Sequence, residues 1–481
     1  MDPEKLKPAL QDLVVESLNW LRTPSNVEKI EPSYQKYANE VKYDEYGWPK
    51  LTDLTFQTYG SPRHEKSVFD FSMVLYRVLE QFTAWKPFIE TALTYDRILW
   101  FYSLEDSDST SEELARIDPQ LGRSWPFRLI KSGVGDLVDR YLHRYNTFEL
   151  DEANFGLLYT GWYNNIFADK LEFDVIVPIL GLSFEDAQIA MADGVEIVRM
   201  TDTIQLQRGI HGQYRYYFNS NVTRAATFAV VSRGWEITNV PQLIRHATVF
   251  TPDYLRTVLA RIDLVFAAIR AVTGFQTGYS QILIQADGWC DHSYGGLPTT
   301  HAVSVRQFPE SFETQGVWLS KPADISGKQC LEIAETYNWL GTVRQNKVAL
   351  AARRLNQAYL RSSDDDAIVD AIIGLEALIG DGNAEMTHKI ASRIAAIRKL
   401  NPVDGLSPYA VFRLTKKIYA QRSAIVHGTH ETKTDKQLVT PPHGENERVQ
   451  SSIGMLRHLV VTLAKFPEYL EPTKIDELML D

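Results

Sequence analysis

Cysteine is almost absent from this sequence. Cys290 and Cys330 are the only two in 481 residues, so no disulfide framework is implied and a reducing cytoplasm is the expected compartment. No stretch approaches the roughly 18 uninterrupted apolar residues that a membrane-spanning helix needs. The opening Met-Asp-Pro-Glu-Lys is unlike a secretory signal. An excess of basic charge is missing too. Lys and Arg number 50 against 61 Asp and Glu, a net charge of −11, which argues against general, tight coating of nucleic acid but leaves room for a small selective site. The chain has no internal repeat and no low-complexity tract. Four metal ligands at tetrahedral spacing cannot be picked out either. Trp289-Cys290-Asp291-His292, with His301 following, reads as a polar loop between strands, so neither metal nor other cofactor is expected.

What is present describes a folded protein of two or three domains, 44% hydrophobic and 23% charged. The expected class is α+β multidomain. Residues 1–150 read as a mainly helical region, with an amphipathic segment over 6–21 and an aromatic-rich run over 66–93. Within 122–145, Ser132-Gly-Val-Gly135 reads as a short glycine loop without phosphate-binding character. Residues 151–320 read as a mixed α+β middle domain. Its strands are expected over 173–180, 194–200, 226–231, 281–285 and 301–306, with one clear helix over 252–272; His211 is expected in a turn. Residues 321–481 read as an all-α bundle of five helices. These are a long one over 329–361, one opened by Asp364-Asp365-Asp366, one over 386–400, one between Ser407-Pro408 and Gly428, and one over 446–469.

The fourth of these helices carries the chemistry. Val411, Leu414, Ile418 and Ile425 form an apolar stripe, and Arg422 falls on it. A guanidinium turned toward a packed side needs a carboxylate, a phosphate or a partner subunit. Glu376 lies on the apolar face of the second helix and needs a partner in its turn, with Arg393 and Arg422 as candidates. His427 closes the helix five residues after Arg422, about 140° around an ideal helix, above Ser423 and on the side of Lys416. A permanent cation and a group that titrates near neutrality are what metal-free RNA cleavage requires. Because one helix cannot easily aim both at one phosphate, two copies sharing a site are expected. The structural alternative is an ion-paired Arg and a capping His.

Three blocks, Asp366-x-x-x-Asp370-Ala-Ile-Ile-Gly-Leu-Glu376-Ala-Leu, Lys389-Ile-Ala-Ser-Arg393-Ile-Ala-Ala and Ile-Tyr419-x-x-Arg422-Ser423-x-x-Val-His427-Gly428, occur in an order and spacing that resemble the Apea-like branch of the HEPN domains. The likeness covers about the last third of the chain. It implies a dimerising helical bundle, in many members a metal-independent endoribonuclease, with Arg422 and His427 as the catalytic pair and Ser423, Glu376 and Arg393 in support. It further implies anti-phage defence by abortive infection, with RNA (transfer RNA among the candidates) as substrate and a phage-derived trigger. The alternatives are a non-catalytic RNA-binding or dimerisation module, and a toxin controlled by nucleotidyl transfer, with Tyr419 as acceptor. Charge adds to this. Residues 331–481 hold 19 basic and 19 acidic side chains, and from Lys389 to His427 eight basic residues stand against Asp404 alone. Lys389, Arg413, Lys416 and Lys417 are therefore the expected RNA-binding residues.

Overall fold

The computed structural model describes residues 5–27, 30, 33–35, 40–51, 58–59, 68–102, 125–212, 220–291, 294–343, 346–380, 386–402, 405–426 and 447–480. The chain is mixed α+β, with helices first, a sheet in the middle and helices last. The N-terminal helices are α1 (Leu6–Leu21), α2 (Phe71–Val78), α3 (Trp85–Ala92), α4 (Asp96–Phe101), α5 (Trp125–Tyr145) and α6 (Glu152–Phe167). They close over one aromatic-rich core that includes Phe88, Phe101, Tyr141, Phe155 and Trp162. The run over 66–93 forms two helices: Asp70 opens α2, its carboxylate accepting from Met73 N at 3.0 Å, and residues 79–84 leave the α-helix before α3. One expectation fails here. The Ser132-Gly-Val-Gly135 segment is no loop but lies inside α5. There, a Cβ on Gly133 would sit 3.1 Å from the Tyr102 hydroxyl and one on Gly135 3.1 Å from the Ser72 carbonyl. The glycines serve close helix packing.

The middle of the chain forms a six-stranded antiparallel sheet. Its strands are β1 (Lys170–Ile179), β3 (Gln188–Ala190), β4 (Val195–Arg199), β5 (Phe228–Thr238), β6 (Tyr279–Asp287) and β7 (Thr300–Gln307), in the order β7-β6-β1-β5-β4-β3. Alternation along β1 sends Val175, Val177 and Ile179 to one face and Ile176 to the other. Helices α7 (Asp202–Gly212) and α8 (Ser220–Arg224) precede β5; His211 sits in the last turn of α7 rather than in a turn between elements. Helix α9 (Arg256–Thr273) packs on the Val175 face and ends at Gly274, whose φ of 73° is the left-handed stop a glycine permits.

A short parallel pairing of β8 (Ala323–Ile325) with β2 (Leu182–Phe184) then delivers the chain to Ser326, which opens α10 (Gly327–Thr342) with a capping box to Gln329. The long helix expected over 329–361 is two, α10 and α11 (Asn346–Leu360). There follow α12 (Asp364–Ile379), α13 (Met386–Ile397), α14 (Pro408–Val426), α15 (Glu447–Lys465) and α16 (Pro472–Leu480), so the described bundle has seven helices rather than five. Its apolar core is continuous with that of the sheet, since Ile262, Val265 and Ile269 of α9 belong to the same cluster as Ile368, Leu375 and Leu456.

Helix α12 is the bundle's central element, buried along Ile368, Ile372, Leu375, Leu378 and Ile379. Asp370 is fixed by Arg354 at 2.6 Å and Arg361 at 2.8 Å, pinning α12 to α11. Gly374 lets α15 approach, because a Cβ there would stand 2.6 Å from Leu456 Cδ2. Gly374→Ala should therefore lower stability by about 1–3 kcal/mol through overpacking, despite its better helix propensity, as read by urea unfolding. An unchanged or raised midpoint would refute this close approach.

Candidate functional site

Helix α14 forms as its sequence dictates. The Ser407 hydroxyl accepts from Ala410 N at 3.2 Å, Pro408 takes the first helical position, and the described helix ends at Val426. Val411, Thr415, Ile418 and Tyr419 are buried, while Arg422 and Ile425 are half-buried. The opposite face, Lys416, Ala420 and Ser423, is exposed. His427, the stop Gly428, His430 and His443 lie outside the described residues.

Arg422, Tyr419 and Glu376 come together where the last turn of α12 meets α14. The Tyr419 hydroxyl is buried beside the Glu376 carboxylate without a well-aligned hydrogen bond to it. Burial first, and then the Glu376 charge, push the phenol above its ordinary range, against the opposing pull of Arg422. Tyr419 is thus a neutral phenol across the working pH range. With its hydroxyl enclosed, it offers no surface to a modifying enzyme. Arg422 forms no ion pair with Glu376 among the described residues, and its Nε is buried without a hydrogen-bond partner there. The enclosed Nε is out of reach of solvent, so an anionic oxygen could meet only the exposed part of this half-buried side chain.

Arg393 belongs elsewhere. It is 1% exposed, its Nε and Nη2 donate to the two carboxylate oxygens of Asp476 on α16 at 2.8 Å each, and Nη1 donates to the Ile379 carbonyl at 2.8 Å. The expectation that Glu376 finds its partner in Arg393 is corrected: Asp476, far along the chain, took that place. Among the basic residues, Arg413, Lys416 and Lys417 are exposed on α14 and Lys389 is half-buried on α13. Lys416 lies over the Phe412 ring at 5.6 Å, and the His388 ring meets the same ring edge-on at 5.2 Å. His388 and Phe412 therefore extend the basic face across α13 and α14. Sequence reasoning missed both, although Phe412 four residues before Lys416 was a readable i, i+4 pair.

In the cluster after β6, Cys290 and Asp291 each face an arginine. Arg140 of α5 donates to Cys290 Sγ at 2.5 Å and to the Leu297 carbonyl at 3.1 Å, and Asp291 faces the fully buried Arg245 at 3.6 Å. His301 stacks on Phe250, with ring centres 4.5 Å apart; His292 lies outside the described residues. Among the described residues, no helix is long and apolar enough to cross a membrane. No protein-family model, curated protein or solved structure matches this chain.

Proposed function

We propose that this chain is a metal-independent endoribonuclease of HEPN type. In this reading it acts as a cytoplasmic homodimer on cellular RNA, with transfer RNA among the substrates, in abortive-infection defence against phage. The observation that carries it is Arg422, half-buried near the end of α14 and outside any ion pair among the described residues. His427 follows five residues later in sequence. The ribose 2′-hydroxyl supplies the nucleophile, so the protein has only to move protons and stabilise phosphoryl charge. His427 handles the protons and Arg422 clamps the phosphate, with Glu376 and Tyr419 holding the guanidinium's surroundings and Ser423 beside it. Arg413, Lys416, Lys417 and Lys389 draw the strand in.

The two faces of α14 support a shared site. Arg422 turns inward while Lys416 and Ser423 face solvent, so one helix presents two different surfaces. Two copies placed face to face would supply an acid and a base from their two His427 side chains. Residues 1–320 then restrain the nuclease until a phage-derived trigger arrives. A second reading, a non-catalytic assembly or RNA-binding module, draws on the same cluster, because Glu376, Tyr419 and Arg422 also join α12 to α14.

Sequencing the ends of cellular RNA after expression separates them. The nuclease reading expects new 2′,3′-cyclic phosphate and 5′-hydroxyl ends, unaffected by EDTA in a purified reaction and absent with His427→Ala. Equal cleavage by the His427→Ala protein would sink the assignment.

A further inference from the structure

We propose that the exposed rings of His388 on α13 and Tyr409 on α14 form a platform on which unpaired bases of a single-stranded RNA stack. The inference rests on the proposed reading that RNA visits this face, and it needs no cleavage there. Neither α13 nor α14 contains an aspartate or a glutamate. Arg413, Lys416 and Lys417 are exposed on α14, and none of the three has an ion pair among the described residues. Arg393 is not counted with them, being held by Asp476. In a chain of net charge −11, this local cationic surface suits a polyanion.

Aromatic rings lie between those charges. Tyr409, Arg413 and Lys416 recur at steps of four and three residues, so they share one side of α14. Phe412 stands beside Arg413, with Lys416 over its ring at 5.6 Å. From α13, the His388 ring meets Phe412 at a centroid distance of 5.2 Å, the two planes inclined at 71°. That contact fixes the His388 ring while His388 itself stays exposed. Tyr409 is 68% exposed, so its ring is open as well. An acidic peptide would use the cations and leave the rings idle. An RNA strand uses both, because every base has a flat π face and every phosphate a charge. In a duplex those faces are stacked inside the helix, which restricts the platform to unpaired bases.

Fluorescence anisotropy with a short labelled oligouridylate tests this, using full-length protein that carries His427→Ala to silence the proposed cleavage. Tyr409→Ala and His388→Ala should each weaken binding by about fivefold or more, the lower end of one lost base–aromatic stack. Tyr409→Phe should bind like the parent, since stacking does not need the hydroxyl. Arg413→Gln and Lys416→Gln should each reduce the salt slope by about one. An abasic ribose-phosphate strand and a duplex RNA should bind more weakly and be indifferent to Tyr409→Ala. Circular dichroism checks the fold of each variant. The proposal is overturned if abasic strand, duplex or a polyglutamate peptide binds as tightly as oligouridylate, or if both ring-to-Ala variants bind like the parent. Failure here and failure of the nuclease reading are distinct. Wild-type protein that shows this binding pattern but cuts no RNA keeps the platform and loses the nuclease. Wild-type cleavage with both ring-to-Ala variants binding normally does the reverse.

Discussion

Replacing Arg422 by Ala should lower RNA cleavage by roughly 10²–10³-fold, the loss that follows removal of one preorganised donor to a developing oxyanion. The fold should be little disturbed. Arg422 forms no ion pair among the described residues, so its removal strands no buried counter-charge. Arg422→Lys should recover only part of the rate, because an ammonium cannot present two parallel donors to a phosphoryl group. Single-turnover cleavage of a labelled RNA, beside the thermal midpoint of each variant, reads both quantities. Under the assembly reading the pattern inverts: Arg422→Ala would weaken the dimer or the α12–α14 contact, and cleavage would be absent from wild type as well.

The second large effect concerns Arg393 and Asp476, and it is asymmetric. Asp476→Ala should cost about 3 kcal/mol, because it leaves a guanidinium, with a side chain 1% exposed, without its carboxylate. Arg393→Met should cost distinctly less. Asp476 is 41% exposed and can return to water, and the methionine fills the space left in the packed interior. Equilibrium urea unfolding of the two single variants and the double variant closes the cycle. Equal costs would mean that Arg393 is hydrated on breaking the pair and that its burial is not what makes the pair matter. Cleavage by Arg393→Met, corrected for the folded fraction, should stay near wild type, since this side chain faces α16 and not the Arg422 cluster.

Much of the architecture was legible because local signals agreed with the tertiary outcome. β-Branched and aromatic residues along 173–180 placed β1, and Ser407-Pro408 placed the start of α14. Ser363 ahead of three aspartates placed α12, with the Ser363 hydroxyl accepting from Asp366 N at 3.3 Å. Errors arose where long-range packing overruled a local sign. Gly133 and Gly135 read as a loop because glycine is a breaker, yet they lie in a helix where Tyr102 and Ser72 come within 3.1 Å of where a Cβ would stand. The glycine in Arg208-Gly-Ile-His211 misled in the same way: Arg208, fully buried in α7, donates to the carbonyls of Ala226 and Thr223, which holds the segment helical.

At the candidate site, the inward turn of Arg422 could be read from the apolar stripe of a single helix. The placement of Arg393 could not. Nothing in a helical period says that a carboxylate 83 residues further on will reach a guanidinium before one in a neighbouring helix does.

The membership of α9 in both the sheet's core and the bundle's has a consequence for how this molecule can be taken apart. Its Ile262, Val265 and Ile269 are 0% exposed, covered from two sides. Expressing residues 321–481 alone would bare the surface that α9 normally shields, and such a fragment should precipitate or form non-native aggregates instead of behaving as a free toxin. Under the proposed nuclease reading a trigger would then act on an intact chain and not through proteolytic detachment, and calorimetry of that chain should register sheet and bundle melting in a single transition.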